Sequence, residues 1–318
     1  MSVRVRVPAT TSNLGGGFDC IGAAVDRHLE LVAEIPGSGG IAVERRGTLR
    51  ALSLAPERDF LYTGFAAACR RTASPVPPHV ALRATSDIPV GRGLGSSAAA
   101  IIAGAAAAIA LLDLPLDDAA LVAIGAELEG HPDNAAPAVH GGAVLAVHDP
   151  TGALVLAPLV VHRSLRFVFA VPEFTVDTGR ARAALPAELP HVAARRAAAA
   201  GAALVAGLER GDAALLAAGL DGPLHIPYRR ALVPGYDAVC AAAAAAGAFG
   251  ATLSGSGSAI VAVAPVERAS AVADAMRAAW SAVDPRVAAF VSAPGVRGYA
   301  VERNIAPDAV HSSLEASS

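Results

Sequence analysis

Val3, Val5 and Val7 alternate with Arg4 and Arg6, a period of two that predicts a half-buried strand ending at Pro8. Further strand patterns fall over residues 30–35, 41–45, 79–85, 141–148, 165–171 and 259–264. Residues 61–71, 98–112 and 118–128 read as helices, as do the alanine-rich stretches 191–209, 212–219 and 235–246. Asp117 or Asp118 stands where a side chain caps the helix that runs to Leu128. The alanine runs have no fixed period, so a solenoid is not indicated. Strands and helices mix in both halves of the chain, which predicts an α+β fold with a division near residues 150–165. The expected units are residues 1–160 and 161–304, and the polar, aperiodic residues 305–318 are expected to be a disordered tail.

Composition narrows the class. With 318 residues and 54% hydrophobic content the chain has enough apolar material for two modest cores. A formal net charge of −3 lacks the basic excess of a nucleic-acid binder. Cys20, Cys69 and Cys240 are far apart, which argues for a reducing compartment and against a disulfide frame or a zinc site. The N-terminus has no signal-peptide core, and the apolar run 98–112 falls short of the ~20 residues a membrane span needs. The expectation is a cytoplasmic protein without nucleic-acid or membrane partners. The sequence contains no lysine, so a mechanism that demands one is excluded.

Two polar, glycine-rich stretches carry the candidate chemistry. The first, Thr10-Thr11-Ser12-Asn13 through Asp19, follows the opening strand and offers a dense set of hydrogen-bonding groups. The second, Pro89-Val90-Gly91-Arg92-Gly93-Leu94-Gly95-Ser96-Ser97, runs directly into a helix. Glycines free of Cβ atoms let backbone amides crowd an anion, and a helix N-terminus adds partial positive charge. A glycine turn with a serine cap would account for the same residues. The dinucleotide fingerprint has a different third spacing, and a Walker A loop requires lysine.

Taken together, the motifs resemble the GHMP kinase superfamily. Pro89-x-Gly91-x-Gly93-Leu94-Gly95-Ser96-Ser97 is similar to its nucleotide-phosphate motif, Pro8 through Asp19 to its first motif, and Leu253-Ser254-Gly255-Ser256-Gly257-Ser258 to its third. The run to Asp19, Glu129-Gly130-His131-Pro132-Asp133-Asn134 and His225-x-Pro227-Tyr228-Arg229 resemble the homoserine kinase branch. Gly16 departs from the usual proline, which is expected to loosen its loop, and Ser256 and Ser258 depart from the usual residues of the third motif.

The resemblance implies a ribosomal protein S5 domain 2-like N-terminal domain and a ferredoxin-like C-terminal domain. It also implies an ATP-dependent, Mg2+-requiring transfer to L-homoserine on the route to threonine, and it allows a homodimer without requiring one. ATP phosphates would meet Pro89, Gly91, Arg92, Gly93, Leu94, Gly95, Ser96 and Ser97, with Ser254, Gly255 and Gly257 from the third motif. Glu129 and Ser97 would serve catalysis and the metal, with Thr178 near the reacting groups. Asn13, Asp19, His131, Asn134, Arg182 and Arg229 would surround the amino acid.

Blander roles stand beside these. Glu127 reads as a solvated helix charge, the two arginines as surface ion pairs, His131 as a packing residue and Asp133 as a helix cap. Arg230 is the neighbouring alternative to Arg229. Any dedicated general base is left unassigned.

Overall fold

The computed structural model describes residues 2–304; the expected tail, 305–318, lies outside them. The first sheet contains β1 (Ser2–Ser12), β2 (Ile21–Glu34), β3 (Ile41–Gly47), β4 (Val80–Ser86), β5 (Ala143–His148) and β6 (Leu154–Leu159). Its helices are α1 (Phe60–Arg71), α2 (Ser96–Leu112), α3 (Asp118–Glu129) and α4 (Ala135–His140). Then follow β7 (Leu165–Val171), α5 (Thr178–Ala183), α6 (His191–Arg210), α7 (Ala213–Leu220), α8 (Ile226–Arg229) and α9 (Tyr236–Ala245). The described chain closes with β8 (Gly250–Leu253), β9 (Ile260–Pro265), α10 (Ala269–Ser281), β10 (Ala288–Ser292) and β11 (Ala300–Arg303).

Val3, Val5 and Val7 are buried, as the alternation requires. The strand does not stop at Pro8. Its register against β2 shifts between Pro8 and Ala9, and pairing then resumes to Ser12. Proline cannot donate to a ladder, and an irregularity is where a strand tolerates it. Residues Thr10–Ser12 are therefore buried strand rather than open loop.

The first sheet runs β11-β1-β2-β4-β3, with β5 and β6 continuing from the early part of β2. The alanine-rich α2 lies across β1 and β2, and its residues from Ala98 to Ala108 are all buried. Small side chains permit that close contact. Among the described residues no helix is long and apolar enough to cross a membrane.

The second sheet is antiparallel with order β10-β7-β9-β8, the arrangement of a ferredoxin-like unit. Phe167, Phe169, Val261 and Val263 face the core shared with the first sheet, α6 and α7. The intervening Val168, Ala170, Ile260 and Ala262 pack with Val239, Met276 and Trp280 of α9 and α10. Both faces of this sheet are thus covered. The last described strand, β11, leaves it and pairs with β1 on the first sheet.

Candidate functional site

The ends of β1, α2, α3 and α4 converge on the turn that follows β8. Asn134, at the start of α4, joins them. It accepts a hydrogen bond from Thr10 Oγ1 at 2.8 Å and donates to Ser12 Oγ at 3.1 Å. Thr11 and Ser254 hydroxyls meet at 2.9 Å, and Ser254 Oγ donates to the Gly93 carbonyl at 2.6 Å. Backbone bonds from Thr10 N to Leu94 O and from Gly255 N to Ser12 O complete the joint. Thr10, Thr11 and Ser254 therefore tie loops together, where the sequence alone offers them as ligand groups.

The glycine loop takes its shape from left-handed backbone. Gly91, Gly93 and Gly95 have φ of 69°, 77° and 65°. A Cβ on Gly93 would lie 2.0 Å from the Ser254 carbonyl oxygen, and one on Gly95 would lie 1.9 Å from Thr10 Oγ1. Gly95 caps α2 without a side chain, so no side chain occupies the donors of the first turn. A cavity of about 330 Å³ opens there. Gly91, Gly93, Gly95, Ser96 and Ser97 line it, whereas Pro89, Arg92 and Leu94 do not. Leu94 is buried in the core. The Arg92 guanidinium donates to the carbonyls of Val90, Pro172 and Glu173, tying the loop to the segment after β7. Gly255 and Ser256 line the cavity from the second unit, while Ser254 and Gly257 stand behind it.

Glu129 ends α3 and faces the same cavity. Ser97 Oγ donates to its Oε1, and its Oε2 is buried without a partner among the described residues. Burial raises its pKa to about 6; Asp133 adds to the rise, against the Ser97 hydrogen bond and the His131 charge. Mg2+ takes oxygen ligands and is held by one or two carboxylates, with water and phosphate completing the shell. An unsatisfied carboxylate oxygen beside a hydroxyl fits that ion. Glu127 points elsewhere and pairs with Arg71 at 2.7 Å, the role of an ordinary helix charge.

The opposite end of the site is charged. Arg182 of α5 grips Asp19 through two bonds of 2.9 and 3.0 Å. Asn13 Oδ1 accepts from the Asp19 amide at 2.8 Å and so shapes the loop that presents the carboxylate. Arg229 is 1% exposed, donates through Nε to the Ala181 carbonyl at 3.1 Å and stacks over Phe18 at 4.9 Å. Its Nη1 is buried without a partner among the described residues. Arg230 instead lies on the surface beside Asp237 and does not line the cavity. Thr178 Oγ1 meets Ser256 Oγ at 3.1 Å where α5 approaches the turn.

His131 lines the cavity with Nδ1 bonded to the fully buried Asp133. Burial works against the charged ring, yet the hydrogen bond and charge of Asp133 outweigh it and raise the His131 pKa. Asp133 thus serves His131, while Asn134 takes the cap position of α4.

Gly16 is packed rather than loose, since a Cβ there would lie 2.4 Å from the Ala200 backbone of α6. Sequence reasoning passed over Phe18, whose ring meets both Arg229 and His225, and Phe60, which borders the cavity. Only the adjacency of Phe18 to Asp19 hinted at the first. Cys20 lies next to this loop, but burial and the nearby acids push its thiol up to about 11, which removes it as a nucleophile.

The family models for the GHMP kinase N-terminal and C-terminal domains match residues 60–142 and 204–282. A homoserine kinase from Synechococcus sp. is 41% identical over 95% of this chain and 99% of its own length. One from Gloeobacter violaceus is also 41% identical, over 87% and 92%. The crystal structure of homoserine kinase from Cytophaga hutchinsonii superposes with a TM-score of 0.83 at 29% identity, covering 95% of this chain and 97% of that one. L. major mevalonate kinase, at 18% identity and a TM-score of 0.69 over 92% and 96% of the two chains, shares the fold.

Proposed function

The chain belongs to the GHMP kinase family, and from that premise we propose that it transfers the terminal phosphoryl group of ATP to the side-chain hydroxyl of L-homoserine. The products are ADP and O-phospho-L-homoserine, a step of threonine biosynthesis. One observation carries the reading: a single cavity joins a helix N-terminus fitted to phosphate with the guanidinium groups of Arg182 and Arg229, and Arg182 holds Asp19 beside that lining, a set of charges fitted to a zwitterion. The 41% identity to homoserine kinases over most of both chains supports the same substrate.

Phosphoryl transfer depends mainly on positioning and charge neutralisation. The amides at the start of α2 and the Ser96 hydroxyl hold phosphate oxygens. Glu129 and Ser97 would hold Mg2+, which when bound neutralises phosphate charge. Asp19 receives the ammonium of homoserine. Arg182 and the free Nη1 of Arg229 receive its carboxylate, for which a guanidinium offers parallel donors. His131, whose pKa Asp133 raises, borders the reacting groups from the loop after α3, and Thr178 borders them from α5. The hydroxyl proton passes to a phosphoryl oxygen as the new O–P bond forms.

A second cavity, about 210 Å³ and largely apolar, shares Phe60, Gly91, Ser96 and Ser97 with the first. Its lining suits the base of the nucleotide.

An assay of ADP release across homoserine, mevalonate and galactose tests the proposal. Turnover is expected with homoserine and Mg2+, and its absence would overturn the reading. Glu129→Gln is expected to lower kcat at least ~100-fold, about 2.7 kcal/mol of barrier, while the thermal midpoint holds. Unchanged turnover would remove Glu129 from the metal site.

A further inference from the structure

The apolar cavity beside the glycine loop contains a charged pair that the phosphoryl-transfer chemistry leaves unused. Arg45 on β3 and Asp59 before α1 stand in its wall among Leu49, Leu52, Leu54 and Val90. Their side chains are only 13% and 6% exposed, and Arg45 Nε donates to Asp59 Oδ2 at 2.6 Å. A buried ion pair is an indifferent source of stability, because apolar residues of similar volume often do as well or better. The pair therefore asks for a use other than holding the fold.

Its hydrogen bonds suggest one. Asp59 is fixed twice, since its Oδ1 also caps α1 by accepting from Leu61 N at 2.9 Å. Arg45 Nη2 donates to the Leu54 carbonyl at 3.2 Å. The guanidinium is thus held through Nε and Nη2, and Nη1 has no partner among the described residues. A guanidinium donates and never accepts. Set rigidly in an apolar wall, it can read a hydrogen-bond acceptor on a flat heterocycle.

We propose that Arg45 is a specificity-determining residue for the nucleotide base, its Nη1 donating to a ring nitrogen of the purine. Asp59 is the positioning residue that holds the guanidinium in that orientation. The inference rests on ATP being the phosphoryl donor. It adds what the wall of the base cavity reads, a lone-pair acceptor on the ring.

The test uses the full chain at saturating homoserine. KM is measured for ATP and for 1-deaza-, 3-deaza- and 7-deaza-ATP, each of which replaces one ring nitrogen with C–H. For the wild type, one of the three analogues is expected to raise KM at least tenfold while the other two stay within threefold of ATP. Arg45→Met keeps the apolar stem and removes the donors. It should raise KM for ATP by a similar factor and bring all three analogues within threefold of it, with kcat and KM for homoserine moving less than twofold. Asp59→Asn retains an oxygen to cap α1 and is expected to show an intermediate loss of discrimination.

Equal KM values for the wild type across the three analogues would overturn the proposal without any variant being needed. So would an Arg45→Met enzyme that melts earlier yet keeps the wild-type discrimination, because a purely structural pair leaves that ratio untouched. Should the wild type turn over no homoserine, the kinase reading fails by itself. Calorimetric titration with ATP and the same analogues then decides base recognition separately.

Discussion

Asp19 and Arg182 hold each other through two bonds, and both side chains are about a third or more exposed. An exposed pair of this kind is worth about 1 kcal/mol or less. A zwitterion that brings its own ammonium and carboxylate can therefore replace both partners at small cost, whereas a compound with one charge strands the other. Arg229 differs, being buried and already anchored by Ala181 and Phe18. His225 stacks on the Phe18 ring. Its Nε2–H donates to the Gly15 carbonyl at 3.1 Å, and burial first, then Arg229, lowers its pKa to about 4. A base whose folded pKa is depressed binds its proton in the unfolded chain first, so stability falls as pH drops from about 6.5 to about 4. The penalty amounts to roughly 3 kcal/mol once that window is crossed. His225→Gln keeps a donor for Gly15 and removes the proton site. Urea melts at pH 4.5 and 7 should show a smaller pH difference for the variant; an unchanged difference would assign the acid sensitivity to other groups. At this scale the sequence was informative wherever a motif bracketed the residue, as with Glu129, Asn134 and Arg229. It could not show that Thr10 and Thr11 face inward, because their partners stand 124 and 243 positions away.

Among the elements, the junction of the glycine loop with α2 was readable because its cause is local: alternate glycines, two serines and a run of alanines. The continuation of β1 past Pro8 was not, since it depends on a register shift against β2. Helix α10 did carry a signal. Val272, Met276 and Trp280 are spaced four apart and all buried. Strand β6 and the short α5 hold no comparable pattern and owe their form to tertiary neighbours. Gly95 tests the junction. Alanine there meets φ of 65°, which costs about 1–2 kcal/mol, and a Cβ placed on Thr10 Oγ1 and near Asn134 Oδ1. Gly152 has φ of 85° with nothing within 4 Å, so its alanine variant bears the backbone strain alone. In parallel denaturant melts Gly95→Ala should lose about 2–4 kcal/mol and Gly152→Ala about 1–2. Equal losses would show that the Thr10–Asn134 joint yields freely.

Over the whole molecule, the ferredoxin-like strand order could be anticipated from family motifs, but the route of the last strand could not. Segment 296–304 turns away from the second sheet. Val296 O accepts from Gly142 N, Tyr299 N donates to Ala138 O, Tyr299 Oη donates to Asp118, and Arg303 reaches Asp113. These contacts brace α3 and α4, the helices that carry Glu129 and Asn134, although no residue of the segment lines the cavity. A chain ending at Gly295 is therefore expected to lose most turnover and to melt several degrees lower. Trp280, the only tryptophan, is buried in the second unit and reports on it separately. Its emission should shift together with the far-ultraviolet signal of the truncated chain, because Arg92 and Ser254 fasten the two units. Full activity of the truncated chain would mean that the brace is dispensable.

The pairing of β11 with β1 also sets a timetable for synthesis. β1 waits for β11, synthesised much later, to close its open side. At about 5–20 residues per second that interval is roughly 15–60 s. For that time the nascent sheet presents an unpaired edge, the kind of surface that recruits foreign strands. Arg4 meets Glu302 of β11 only when that strand arrives, so until then its positive charge stands along that edge, whereas Arg6 pairs with Glu30 of the neighbouring β2. A charge at Arg4 is thus suited to discourage foreign strands during synthesis before it helps to hold the finished fold.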